Sequence, residues 1–347
     1  MVIVASPSLF AVRALRFHGP GDLRLDEVPA PTTGVVVRVA ACGVCGSDLH
    51  FLDGSARTAY TPITLGHEIA GVISESADAA WPEGTEVLVA AGGHCGECPR
   101  CIEGRPNLCE RSVVMGIEVD GGLADFVSVR GDMLIRRPGG LTPGDAATAV
   151  DAGATAWHAV TRRAGVTPGD SVVIIGVGGL GGYAVQMARN AGAGPVIAAD
   201  IDPARLEDAR RFGADEVVLI EEGKSLGRAV KLLTGGGVDK ALEFVGRAST
   251  VDAAVKCLRP GGIAAAVGVG TEPLITLPPV LWSNHEYTLT GSYGSLPGDT
   301  EMVLDLLAAG RLHPPQIEEV SLDDAAAAIT AAARGDRTIT GRLMVIP

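Results

Sequence analysis

Residues 171–182 read SVVIIGVGGLGG, an apolar run that stops at a cluster of glycines. Four β-branched residues, Val172 to Ile175, suit a buried strand, and Gly176, Gly178 and Gly181 then fill the spacing G-x-G-x-x-G. Gly176 permits a tight turn, Gly178 lets backbone amides approach a pyrophosphate, and Gly181 lets the following helix pack on the strand. Gly179 and Leu180 complete the loop, and the positive end of the helix faces the anion. Asp200 ends the next apolar run, 24 residues after Gly176, where a carboxylate can accept both hydroxyls of an adenosine ribose. The same charge, with Asp202 beside it, repels a 2′-phosphate, so NAD is favoured over NADP. Arg205, in the helix that follows, is grouped with the cofactor-binding residues.

The context of this motif sets the fold. Apolar runs recur as SVVIIG, PVIAAD, EVVLI, KALEFV, GIAAAVGV and YTLTGS, with helical stretches between them. That rhythm predicts a parallel, doubly wound α/β sheet over residues 153–292. In IDPARLEDARRFGAD, Asp202 is a candidate N-cap, Pro203 the first helical residue and Gly213 the stop. Before about residue 150 the pattern differs: VVVRVAAC, EVLVAA and LADFVSV alternate and are broken by Gly and Pro, which reads as mostly β. After about residue 292 one more helix leads to a terminal strand, GRLMVIP, expected to rejoin the first part, so that 1–152 and 293–347 form one domain.

Composition excludes several classes. A chain of 347 residues, 47% hydrophobic and 20% charged, suits two soluble domains, and no apolar run is long enough to span a bilayer. The first dozen residues lack a basic segment and run into AVRALRF, so no secretory signal is expected. A net charge of −13 without a Lys/Arg cluster argues against nucleic acid as a partner.

Four of the seven cysteines, Cys95, Cys98, Cys101 and Cys109, crowd into a short stretch with the spacing C-x₂-C-x₂-C-x₇-C. Four thiolates at this spacing close a tetrahedron around zinc and leave no open position, as in structural sites. Thiolate ligands fit a reducing compartment, which points to the cytoplasm. A second, dispersed set contains Cys45 in CGVCGSDLH and His67 in LGHEIAG. Ser47 and His50 offer a hydroxyl and an imidazole that can pass a proton, while Asp48 and Glu68 can orient ligands.

Taken together, GVCGSDLH, GHEIAG, the four-cysteine lobe and GVGGLGG occur in the order found in the zinc-containing medium-chain alcohol dehydrogenases, which this chain resembles over essentially its full length. The resemblance implies an N-terminal GroES-like catalytic domain beside a Rossmann cofactor domain, with two zinc ions per subunit and NAD. It implies that Cys45 and His67 are ligands of a catalytic zinc, that Ser47 and His50 form a proton relay, and that Asp48 supports His67. Leu180 and Thr155 fall where the family packs residues against the nicotinamide. Many members carry a cysteine as third protein ligand where this chain has Asp151, in DAGATAWHAV. The role passes to Asp151, as in some bacterial members; Glu68 is the alternative ligand, and Asp151 could instead cap the following helix. Gly46 stands where the family often has a basic side chain near the pyrophosphate.

The expected activity is reversible hydride transfer between NAD and an alcohol or carbonyl compound. Phe51, Leu52, Trp157 and Trp282, read as pocket-lining, favour a small or medium hydrophobic substrate. A polyol or sugar dehydrogenase is the alternative, and a non-catalytic nucleotide-sensing protein the rival of another class. A homodimer or homotetramer is expected.

Overall fold

The computed structural model describes residues 11–274, 277–335 and 342–347. Residues 1–10, most of the stretch in which no secretory signal is expected, lie outside them. The chain forms two compact units. The first comprises residues 1–95, 111–150 and 316–347; the second comprises 96–110 and 151–315.

In the first unit the strand Val35–Gly43 is central. It pairs antiparallel with Glu68–Glu75, with Phe126–Val129, and at its end with Arg342–Ile346, within a seven-stranded sheet. A smaller sheet joins Asp22–Pro29, Ala11–Gly19 and Ile63–Thr64. Alternation along these strands sends Val35, Val37, Val39, Ile69, Ile73, Val87 and Val89 into one apolar core. Phe51 and Leu52 belong to that core, with the Phe51 ring 6.2 Å from Phe17, a packing role where the sequence suggested a pocket. An apolar residue one turn beyond a candidate ligand serves equally well as packing, and here packing won.

In the second unit six strands are all parallel. Their spatial order is Glu216–Leu219, Val196–Asp200, Val172–Ile175, Val238–Glu243, Leu258–Ala266 and Thr288–Gly291. The six apolar runs of the sequence supply these six strands. Val172–Ile175 sits centrally, and the order reverses between it and Val238–Glu243, which opens the crevice where such sheets take ligands. The Asp202 carboxylate caps the helix Pro203–Arg211 by accepting from Ala204 N, and Gly213 follows at φ +101°. Trp282 packs on this unit's core and donates to Leu277 O, another side chain that the sequence had placed in a pocket.

Two boundaries differ from the sequence division. Residues 293–315 group with the second unit because Asp299 accepts from Arg162, and Gln186 and Asn190 bond to the backbone at 311–313. The stretch 96–110 also groups there, its Asn107 amide donating to Tyr293 O. Asp151 does not begin a helix: turns of helix run from Pro143 to Arg163, and Thr142 is the residue that caps their start.

Candidate metal and dinucleotide sites

Strand register explains how Cys45 and His67 meet. Gly43 pairs with Glu68, so the residues just beyond Gly43 and just before Glu68 leave the ladder side by side. Cys45 then starts the helix Gly46–Leu52, where its backbone N–H donates to Asp48 Oδ2 at 2.8 Å. Asp48 is fully buried and thereby fixes the turn that carries Cys45. The helix presents Ser47, whose Oγ lies 3.5 Å from His67 Nε2. His50, one turn on, is half-exposed, with Nδ1 3.1 Å from Ser55 Oγ and 3.6 Å from Asp53 Oδ2. Bonds from Ser55, assisted by His50, hold the Asp53 carboxyl below the usual carboxylate range.

Cys45, His67 and Asp151 each offer a ligand atom, and these atoms lie within 4.8 Å of one another. Thr155 Oγ1 donates to Asp151 Oδ1 at 3.0 Å. One sulfur, one imidazole nitrogen and one carboxylate oxygen form a donor set suited to zinc, three protein ligands being the number found where the fourth is a water or substrate oxygen. Glu68 is engaged elsewhere: its buried carboxylate forms a bidentate ion pair with Arg342, whose Nε donates to Oε2 at 3.0 Å. Its presence next to His67 in sequence does not bring it into the ligand group.

Cys95, Cys98, Cys101 and Cys109 form a second group whose sulfurs lie within 4.8 Å of one another, with no disulfide among them. The loop that carries them has two short helical pieces, Pro99–Ile102 and Pro106–Leu108, and leaves Ile102 exposed. A segment with so little apolar burial needs bonds to a metal to hold its shape. The other two thiols are fully buried and poor ligands; burial pushes Cys257 up to about 12 and Cys42 well above its ordinary value.

At the dinucleotide loop, Gly176 takes φ +83°, and a Cβ there would lie 2.6 Å from a Val245 methyl. A Cβ on Gly181 would lie 1.9 Å from Gly176 O, so the turn closes only with glycine at both positions. Gly178 precedes the helix Gly179–Asn190, and Leu180 is half-buried in its first turn. Asp200 is buried at the strand end; its Oδ2 accepts from Val177 N at 2.8 Å and its Oδ1 from Asp202 N at 3.0 Å. Arg205 stands 4.0 Å from Asp200 and 3.8 Å from Asp202.

Sequence reading missed Glu243. It is fully buried at the end of Val238–Glu243, and its Oε1 accepts from Val245 N, Gly246 N and Thr250 Oγ1. Those bonds shape the turn that carries Val245 against Gly176. Burial pushes its carboxyl up, only partly offset by these donors. An acidic residue inside the apolar run KALEF was the available signal.

Comparison with known proteins agrees with this arrangement. A family profile described as alcohol dehydrogenase GroES-like domain matches residues 31–139, and one described as zinc-binding dehydrogenase matches 179–309. Sorbitol dehydrogenase of Bacillus subtilis is 31% identical over 291 residues, 81% of this chain and 82% of that protein. Two solved structures share the fold at full length. A presumed zinc-binding dehydrogenase of Sinorhizobium meliloti, bound to NADP, aligns with TM-score 0.88 at 30% identity, covering 97% of this chain and 100% of that one. Acetophenone reductase of Geotrichum candidum, in complex with NAD, aligns with TM-score 0.86 at 29% identity over 99% of both chains. The chain belongs to the zinc-containing medium-chain alcohol dehydrogenase family. It is an α/β oxidoreductase of the alcohol and polyol dehydrogenase type, with a GroES-like N-terminal part and a Rossmann sheet, and acts on small molecules. Among the described residues no helix is long and apolar enough to cross a membrane.

Proposed function

We propose that this protein oxidises a secondary hydroxyl of a small polyol with NAD⁺, and reduces the corresponding ketone in reverse. The single observation that carries the reading is the convergence of Cys45, His67 and Asp151 with Ser47 Oγ only 3.5 Å from the His67 ring. A zinc ion held by those three residues would supply a Lewis acid to the reacting oxygen, and NAD would supply the hydride acceptor. Ser47 Oγ takes up the hydroxyl proton as it releases its own toward His50, half-exposed on the same helix, which passes a proton to solvent. Asp48 holds the start of that helix, and Thr155 holds the Asp151 carboxylate. The cysteine lobe would hold a second zinc that takes no part in the chemistry.

Similar structures hold either dinucleotide, so the preference rests on this chain's own residues. Asp200 and Asp202 put negative charge beside the ribose position, offset only in part by Arg205 at 3.8–4.0 Å, which favours NAD. A polyol is favoured over a hydrophobic alcohol because Phe51 and Leu52 are core residues, and because the relatives include sorbitol dehydrogenase and D-xylulose reductase. We place the enzyme in the cytoplasm as a homodimer or homotetramer. Dinucleotide reduction across sorbitol, xylitol, simple secondary alcohols and aryl alcohols, with NAD⁺ and NADP⁺ in parallel, tests the proposal. A kcat/KM highest for the monofunctional alcohols reverses the substrate assignment, and preference for NADP⁺ reverses the cofactor assignment.

A further inference from the structure

The second unit holds a pocket of about 560 Å³ that none of this chemistry uses. Its walls are the helix Leu226–Thr234, the last turn of Ala248–Cys257 and residues between Leu277 and Tyr287. Lys256 lies just before Leu258, where one strand begins, and Tyr287 just before Thr288, where its neighbour begins. The pocket therefore stands at the amino ends of the strands. Gly176 and Asp200 stand at the carboxyl ends of theirs, so this is not part of the dinucleotide site.

Charge distinguishes it. The chain carries −13 overall, yet the pocket is lined by Arg228, Lys231 and Lys256 with no carboxylate among the lining residues. Lys256 pairs with Asp252 on its own helix. Neither Arg228 nor Lys231 has a carboxylate within 4.0 Å among the described residues. Gly227 is what gathers them. A Cβ there would lie 2.9 Å from both Cβ and the carbonyl oxygen of Lys256, so glycine alone lets the two helices approach this closely. Concentrating like charges costs energy that a bound anion recovers. The remaining wall is apolar: Leu277, Leu281 and the Tyr287 ring, which stacks on His285 at 5.1 Å. The volume falls within the range of small-molecule sites.

We propose that this pocket binds an organic anion with a flat apolar body, its carboxylate or phosphate on Arg228 and Lys231 and its body against Leu281 and Tyr287. Calorimetric titration of the full-length, zinc-loaded protein with phenyl phosphate, benzoate and inorganic phosphate, with and without saturating NAD, tests it. Saturable binding of at least one aromatic anion is expected, unchanged by NAD, with inorganic phosphate at least about tenfold weaker because it lacks the apolar body. The tighter of the two aromatic anions identifies the head group. The double variant Arg228→Gln/Lys231→Gln should raise the dissociation constant about tenfold or more while keeping the parent melting temperature. Leu281→Ser should weaken the aromatic anions but not inorganic phosphate. Absence of saturable binding, competition with NAD, or equal affinity in the folded double variant overturns the proposal.

Discussion

Thr155 Oγ1 donates to Asp151 Oδ1 across 3.0 Å, joining residues one helical turn apart in the same run of helix. The bond fixes the rotation of a carboxylate whose oxygen meets Cys45 and His67 within 4.8 Å. Asp151→Asn keeps the size and removes a negative charge from the ligand set. We expect it to retain one zinc instead of two, with activity that returns in part when zinc is added in excess. Thr155→Val should keep both ions but lose affinity for one, about ten- to hundredfold as read by chelator competition. Full zinc content at full rate in Asp151→Asn would transfer the ligand role elsewhere.

Ser47→Ala should lower kcat by about 10²- to 10⁴-fold at neutral pH, the range for loss of a positioned proton acceptor. Dinucleotide affinity, measured by fluorescence titration, should stay at the parent value. Unchanged turnover removes Ser47 from the relay.

Asp200→Ala should weaken NAD and narrow its advantage over NADP. It should also lower stability by about 1–3 kcal/mol, because the amides of Val177 and Asp202 lose their acceptor. Thermal melting without cofactor separates the two effects, and an unchanged melting temperature contradicts the structural part.

Glu243 gives a pH signature. Burial raises its carboxyl in the folded state, so the native protein holds that proton more tightly than the unfolded chain. Its contribution to stability is complete below the ordinary carboxylate range and is lost as pH rises through the raised value. Glu243→Gln keeps an oxygen for Val245, Gly246 and Thr250 but cannot ionise. Melting temperatures from about pH 4 to neutrality, near and above the usual glutamate value, should therefore show the parent losing ground to Glu243→Gln as pH rises. Parallel curves for the two proteins would count against a raised carboxyl.

Patterns that depend on local chemistry were legible in the sequence. The six strands of the second sheet, the glycine turn at Gly176 and the cap at Asp202 all follow from spacing and residue type. The cysteine spacing likewise anticipated one metal-suited cluster. What could not be read is where long-range partners fall. Nothing near Glu68 in sequence announces Arg342, 274 residues away, and that ion pair keeps it out of the ligand group. Phe51 and Leu52 carry no mark that separates core from pocket, because an apolar side chain satisfies either. Residues 293–315 joined the second unit through long-range polar contacts such as Arg162 with the buried Asp299, which periodicity does not record.

The bonding of Asp200 constrains how this enzyme's cofactor preference can change over evolutionary time. A lineage moving toward a phosphorylated dinucleotide would first remove the acidic charge, yet that same side chain braces the glycine turn through Val177. Its neighbour Asp202 is no freer, since it caps the helix that follows. Ile201, more than half exposed between them, carries no such duty. Adaptive change at this strand end is therefore channelled to Ile201, where a basic side chain can arrive without dismantling the turn.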